Sequence, residues 1–186
     1  MKLEQIFTPM ADDKLILVDS LDRPIGIMEK MEAHRKGGTL HRAFSAFVFN
    51  KNNDLLLQRR ALTKYHSGGL WTNTCCSHPR PGENTLEAGK RRMEEELGVV
   101  CNLEEAFTFT YKAPLDNELT EYELDHVLIG RFDGDLYLNH EEVDSIKWIP
   151  MSEIRILINE HPDDFTVWFK IAFEQVENHI NNILNK

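Results

Sequence analysis

Residues 81–100 read PGENTLEAGKRRMEEELGVV, a helix-length run with an apolar stripe and a dense charged face. Leu86, Gly89, Met93 and Leu97 recur at spacings of three and four, which predicts an amphipathic helix from Asn84 to Leu97 ending before Gly98. Its other face carries Arg91, Arg92, Glu94, Glu95 and Glu96. One use of these charges is local: Arg91 with Glu95 and Arg92 with Glu96 are i,i+4 pairs, worth about 0.2–0.5 kcal/mol each. The other is chemical, because acidic helix side chains can hold a magnesium ion that in turn holds a diphosphate.

Working outward, Leu15–Val18 and Ile25–Met28 flank a polar turn and predict a hairpin. Ala43–Phe49 and Leu55–Gln58 predict a second hairpin across Asn50–Asp54. Further strands are expected at 106–111, 123–132 and 146–149, and closing helices at 152–159 and 165–183. Strands and helices mix without a regular βαβ rhythm, which predicts an α/β (α+β) protein. No repeat, low-complexity stretch or linker interrupts the chain, so residues 1–186 are expected to form a single domain. Within it, 1–30 would be an N-terminal hairpin extension and 151–186 the closing helices.

Composition bounds the function. The 186 residues are 41% hydrophobic and 28% charged, ordinary for a globular protein. A net charge of -10 argues against nucleic-acid binding, which needs a basic footprint. An anionic small molecule would need a local cationic pocket. The three cysteines, Cys75, Cys76 and Cys101, are odd in number and two are adjacent, which suits a reducing compartment better than a disulfide framework. Met1 to Pro9 lacks the apolar core of a signal peptide, and no segment approaches the roughly 20 apolar residues of a membrane span. The expected location is the cytoplasm, with no membrane partner. No glycine-rich dinucleotide fingerprint occurs, so neither flavin nor nicotinamide is expected.

Chemistry-bearing residues cluster in Trp71–Pro79. A short strand entering a turn at His78–Pro79 would show Cys76 and His78 on one face, because strand side chains repeat every two residues. A thiol beside an imidazole can be a nucleophile, a proton carrier or half a metal site; the plainer reading is a buried cysteine and a turn histidine. The same period puts Glu121 and Glu123 on one face, where two carboxylates repel unless a cation or proton lies between them. His34 and His41 flank Gly37–Gly38, a turn that could bring them together. With His78, Glu121 and Glu123 they make a set of the ligand types that bind zinc, manganese or iron.

Glu83, Arg91 and Glu95–Val99 are similar to most of the Nudix box, G-x5-E-x7-R-E-U-x-E-E-x-G-U. Ser77 replaces its first Gly, and Arg92 replaces the Glu of its Arg-Glu pair, usually a metal ligand. That exchange should cripple hydrolysis of a pyrophosphate bond while leaving the scaffold. The chain thus resembles the type I isopentenyl-diphosphate isomerases, a Nudix-fold family that binds a diphosphate without cleaving it. The resemblance runs from about Lys30 to Trp168, on His34 with His41, Arg59–Arg60, Trp71–Pro79 and Glu121–Tyr122–Glu123.

The resemblance implies a Nudix-like mixed β-sheet sandwiched between helices, and interconversion of isopentenyl and dimethylallyl diphosphate in isoprenoid biosynthesis. It puts the catalytic groups at Cys76, Glu123, Tyr111 and Trp168, and the diphosphate contacts at Lys30, Arg60, Lys64 and Arg92. It also implies a metal (manganese, zinc or magnesium) on His34, His41, His78, Glu121 and Glu123, and a phosphate-bridging magnesium on Glu96. A monomer or homodimer is expected. The nearest rival is a Nudix hydrolase of a nucleoside diphosphate derivative; a more distant one is a binding module that has lost turnover.

Overall fold

The computed structural model describes residues 14–184. The part of the N-terminal extension before Lys14, including Met1–Pro9, lies outside the described residues.

Nine strands form one mixed sheet: β1 (Lys14–Val18), β2 (Pro24–Glu29), β3 (His41–Phe49), β4 (Asp54–Arg60), β5 (Trp71–Thr72), β6 (Cys75–Ser77), β7 (Leu103–Pro114), β8 (Thr120–Arg131) and β9 (Val143–Pro150). The helices are the single turn α1 (Lys30–Ala33), α2 (Thr85–Leu97), α3 (Met151–Glu160) and α4 (Val167–Leu184). The expected hairpin at Leu15–Met28 is β1–β2, and it joins the main sheet where Leu17 meets His41.

The central strand β3 divides its side chains between two cores. Phe47 and Phe49 point to α3 and α4, with Ile154, Phe169, Phe173 and Val176. Phe44, Ala46 and Val48 point to α2, with Met93, Leu97 and Leu128. Helices thus cover both faces, and burying each of Phe44, Phe47 and Phe49 contributes about 1.5–3 kcal/mol as an upper estimate.

Helix α2 begins and ends as its sequence directs. The Asn84 side chain accepts from the Glu87 amide at 2.9 Å, and Gly98 closes the helix at φ 66°. Gly89 has a packing reason: a Cβ there would lie 2.6 Å from Leu128 Cδ1. Any larger residue would have to displace the Leu128 and Leu103 methyl groups to keep this approach of α2 to the sheet.

The second expected hairpin needs correction. β3 and β4 pair only at Phe49 and Leu55, then separate. β3 turns to β6 and, in parallel, to β8, whereas β4 takes β5 and β9. The Asn50–Asp54 turn is sound, with Asn50 Oδ1 accepting from the Asn52 and Asp54 amides. Turn chemistry is local, and the partners that pull the strands apart are distant in sequence. The separation places the segment 71–77 across its opening, β5 on one strand and β6 on the other.

Among the described residues, no helix is long and apolar enough to cross a membrane.

Candidate active site and metal centre

Two histidines are aimed by main-chain carbonyls. α1 carries His34 just past its last turn, and His34 Nδ1–H donates to the Lys30 carbonyl at 2.7 Å. His41 opens β3 and its Nδ1–H donates to the Thr39 carbonyl at 2.7 Å. Each bond fixes the tautomer and leaves an Nε2 lone pair free. Both Nε2 atoms are buried without a hydrogen-bond partner, a costly arrangement unless a cation accepts the lone pairs.

His78, from the turn after β6, and Glu123, from β8, complete the group. His78 Nε2 lies 2.9 Å from Glu123 Oε1, and His41 Nε2 lies 3.4 Å from the same oxygen. Ligand atoms of His34, His41, His78 and Glu123 all lie within 4.8 Å of one another. The parallel register of β3 and β8, which sets His41 opposite Glu123, explains the convergence. Three imidazoles and a carboxylate, two of the imidazoles with unused lone pairs, fit a divalent metal ion.

Glu121 stands one step away. Tyr111 O–H reaches both carboxylates, 2.8 Å from Glu121 Oε2 and 2.7 Å from Glu123 Oε2. Burial, with the charge of Glu123 close by, drives the Glu121 carboxyl well up, whereas the imidazoles of His41 and His78 overcome burial and hold Glu123 well down. Burial lowers His78 to about 3. An imidazole kept neutral in this way, beside an ionised carboxylate, is the form that binds metal.

In front of this group lies a cavity of about 280 Å³. Lys30, Arg60, Lys64 and Arg92 line it, as do Cys76, His78, Glu121, Glu123 and Trp168. His34, His41, Tyr111 and Glu96 are not among the lining residues and meet the cavity through their contacts with Glu123 and Arg92. Arg60 spans the cavity: its guanidinium lies 5.3 Å from the Trp168 ring, donates to the His66 carbonyl at 3.2 Å and approaches Cys76 Sγ at 3.9 Å. Trp168 is also part of the α4 core, so it is both a core anchor and a cavity wall. Burial raises the Cys76 thiol to about 12, so it is neutral near pH 7.

Arg92, the departure from the Nudix box, is thoroughly engaged. It donates to Glu95 at 2.8 Å and to Glu96 at 2.6 Å, and lies 3.2 Å from Glu142. Glu96 is itself nearly buried and accepts from Gln58 at 3.2 Å. Arg91 instead clamps the loop before α2, meeting both oxygens of Glu83 at 2.7 and 2.9 Å.

Sequence reasoning did not single out Tyr65, His66, Ser45, Asp125 or Glu142. The Tyr65 ring lies 5.0 Å from Lys30 Nζ, and His66 Nε2 lies 3.6 Å from Glu121 Oε1. Ser45 donates to the buried Asp125 at 2.7 Å beside Cys76. Asp125 continues the alternation of Glu121 and Glu123, the one sequence signal among these five.

The sequence matches the NUDIX domain family over residues 39–169. It is 54% identical over 171 residues to isopentenyl-diphosphate Delta-isomerase 2 of Photorhabdus laumondii, covering 89% of this chain and 96% of that one. It is 50% identical over 163 residues to the isopentenyl-diphosphate Delta-isomerase of Pectobacterium atrosepticum, covering 88% and 90%. In structure it is similar to DR0079 from Deinococcus radiodurans, with a TM-score of 0.66 at 20% identity, over 80% of this chain and 90% of that one. A MutT protein from Methanosarcina mazei gives 0.62 at 19% identity, over 75% and 94%.

Proposed function

The chain belongs to the isopentenyl-diphosphate Delta-isomerases of the NUDIX family and interconverts isopentenyl and dimethylallyl diphosphate, and from this premise we propose how its own residues divide the work. An alkene is a feeble base, so protonating it demands a positioned acid, a base for the later step and a wall that tolerates a tertiary carbocation. Cys76 and Glu123 line the same cavity in opposite states, the thiol neutral and the carboxylate ionised. One group is loaded with a proton and the other is empty. That is the condition for adding a proton at the terminal methylene, which leaves the tertiary cation on the next carbon, and removing one from the methylene on the far side of that cation, and the reverse reaction exchanges the roles.

Tyr111 orients the Glu123 carboxyl through its 2.7 Å hydrogen bond. His34, His41, His78 and Glu123, with Glu121 beside them, would hold a divalent ion such as manganese, zinc or magnesium, which would supply fixed positive charge next to Glu123. Trp168 offers its ring to the cation, an interaction worth about 2 kcal/mol or more once water is excluded. Lys30, Arg60, Lys64 and Arg92 take the diphosphate oxygens, and Glu96, now paired with Arg92 and Gln58, would be the carboxylate for a magnesium ion that accompanies the substrate. A hydrolase would need a carboxylate where this chain has Arg92.

The observation that carries this reading is the shared cavity of Cys76 and Glu123 beside a buried His/Glu group. Cys76→Ala tests it: turnover should fall by roughly 10²–10⁴-fold, the usual weight of a positioned proton donor or acceptor, while substrate affinity stays within about twofold. Unchanged turnover would remove Cys76 from the mechanism.

A further inference from the structure

The cationic end of a cavity for a diphosphate should exclude carboxylates, yet Glu142 lies there, against Lys64 and Arg92. Its Oε2 is ion-paired with Lys64 Nζ and its Oε1 lies 3.2 Å from Arg92 Nη2. We propose that Glu142 is a built-in substitute for the substrate's diphosphate: it occupies Lys64 and Arg92 in the free enzyme, and the incoming diphosphate must displace it. The inference rests on the reading of Lys30, Arg60, Lys64 and Arg92 as the diphosphate cradle.

Main-chain geometry supports a side chain that moves on a fixed base. The Glu142 carbonyl accepts from the Ala61 amide at 3.0 Å, and its amide donates to the Asn139 carbonyl at 3.0 Å. Asn139 donates in turn to the carbonyl of Glu96 at 2.9 Å. The residue is therefore pinned between the strand end that bears Arg60 and the helix end that bears Arg92. Its side chain, 24% exposed, has solvent to swing into.

Electrostatics give the substitute a purpose. Lys30 is lowered by burial and then by the repulsion of Lys64, Arg60 and Arg92, which Glu142 partly offsets. Lys64 and Arg92 outweigh burial to keep Glu142 itself ionised. A single carboxylate can thus order crowded cations before substrate arrives. A diphosphate, with more charge and more oxygens, can replace it at both cations together.

The test is calorimetric titration of the metal-loaded enzyme with inorganic pyrophosphate in saturating magnesium, comparing wild type with Glu142→Gln. The near-isosteric amide removes the competing charge, so pyrophosphate should bind roughly five- to tenfold tighter, as expected if the open cradle is populated about a tenth to a fifth of the time. KM for isopentenyl diphosphate should fall by the same factor while kcat does not rise. Glu142→Ala should change affinity in the same direction. Unchanged or weaker binding in the Gln variant overturns the inference, including the case in which Glu142 serves as a magnesium ligand. Arg60→Ala separates the two levels: if it too leaves pyrophosphate binding unchanged, the cradle itself is misread, whereas weaker binding there with no tightening in Glu142→Gln defeats only the role of Glu142.

Discussion

The histidine end and the cationic end of the cavity meet their charges in opposite ways. At the histidine end the protein withholds partners: His34 and His41 spend Nδ1 on main-chain carbonyls and keep Nε2 bare. At the cationic end it supplies them, so that Arg92 meets Glu95, Glu96 and Glu142, and Lys64 meets Glu142. The first is organised for a cation that stays, held by groups too buried to pair with water. The second, on the proposed reading, is organised for an anion that comes and goes and exchanges with these ion pairs.

The sharpest way to break this contrast is to remove a bare lone pair. His41→Ala should lose more than about a hundredfold of activity, beyond the 10–100-fold typical of losing a residue that only supports a metal ligand. Metal content by atomic emission should fall with it, and full activity at reduced metal content would refute the assignment. A chelator applied to wild type should lower Tm by about 5–10 °C, since saturation at 100 Kd stabilises by about 2.7 kcal/mol and each kcal/mol moves a chain of this size about 2–4 °C.

The cationic end should respond more mildly. Arg60→Ala should raise KM for isopentenyl diphosphate by about ten- to a hundredfold, the range for losing a charge-assisted hydrogen bond of about 1.5–3 kcal/mol. Turnover at saturation should fall less, and a loss confined to kcat would instead place Arg60 with the proton-transfer groups through its contact with Cys76.

The smallest effect concerns the thiol between the two ends. With Cys76 raised to about 12, its thiolate fraction stays near one in a thousand even at pH 9. An ordinary cysteine, near 8.5, gains thiolate steeply between pH 7 and 9 and then levels off. Iodoacetamide labelling of the Cys76 peptide, followed by mass spectrometry, should therefore remain slow up to pH 9. Rapid labelling that saturates near pH 8.5 would mean that the thiol is ionised in the resting enzyme.

Local periodicity made much of this legible before any coordinates. The caps of α2, the shared face of Cys76 and His78, and the shared face of Glu121 and Glu123 all follow from spacing along one element. The Gly37–Gly38 turn pointed to the meeting of His34 with His41, whose rings lie 4.9 Å apart, but their meeting with Glu123 needed the parallel register of β3 and β8. That register is not written in neighbouring residues. The separation of β3 from β4 was hidden for the same reason, because the Asn50–Asp54 turn is compatible with a long hairpin or a short one. Glu142 and His66 carry no motif. Their positions depend on where the 139–142 and 61–70 loops cross the cavity, which the long-range pairings of β4 and β9 determine.

Cys76 and Glu123 together are proposed to add and remove a proton at carbon. The most direct test is to incubate the metal-loaded protein with isopentenyl diphosphate and magnesium in deuterated water and follow the substrate by proton NMR. Dimethylallyl diphosphate carrying deuterium in its new methyl group should accumulate with wild type and not with Cys76→Ala. Substrate that stays intact and unlabelled with wild type, or labelled product from Cys76→Ala at the wild-type rate, would contradict the account.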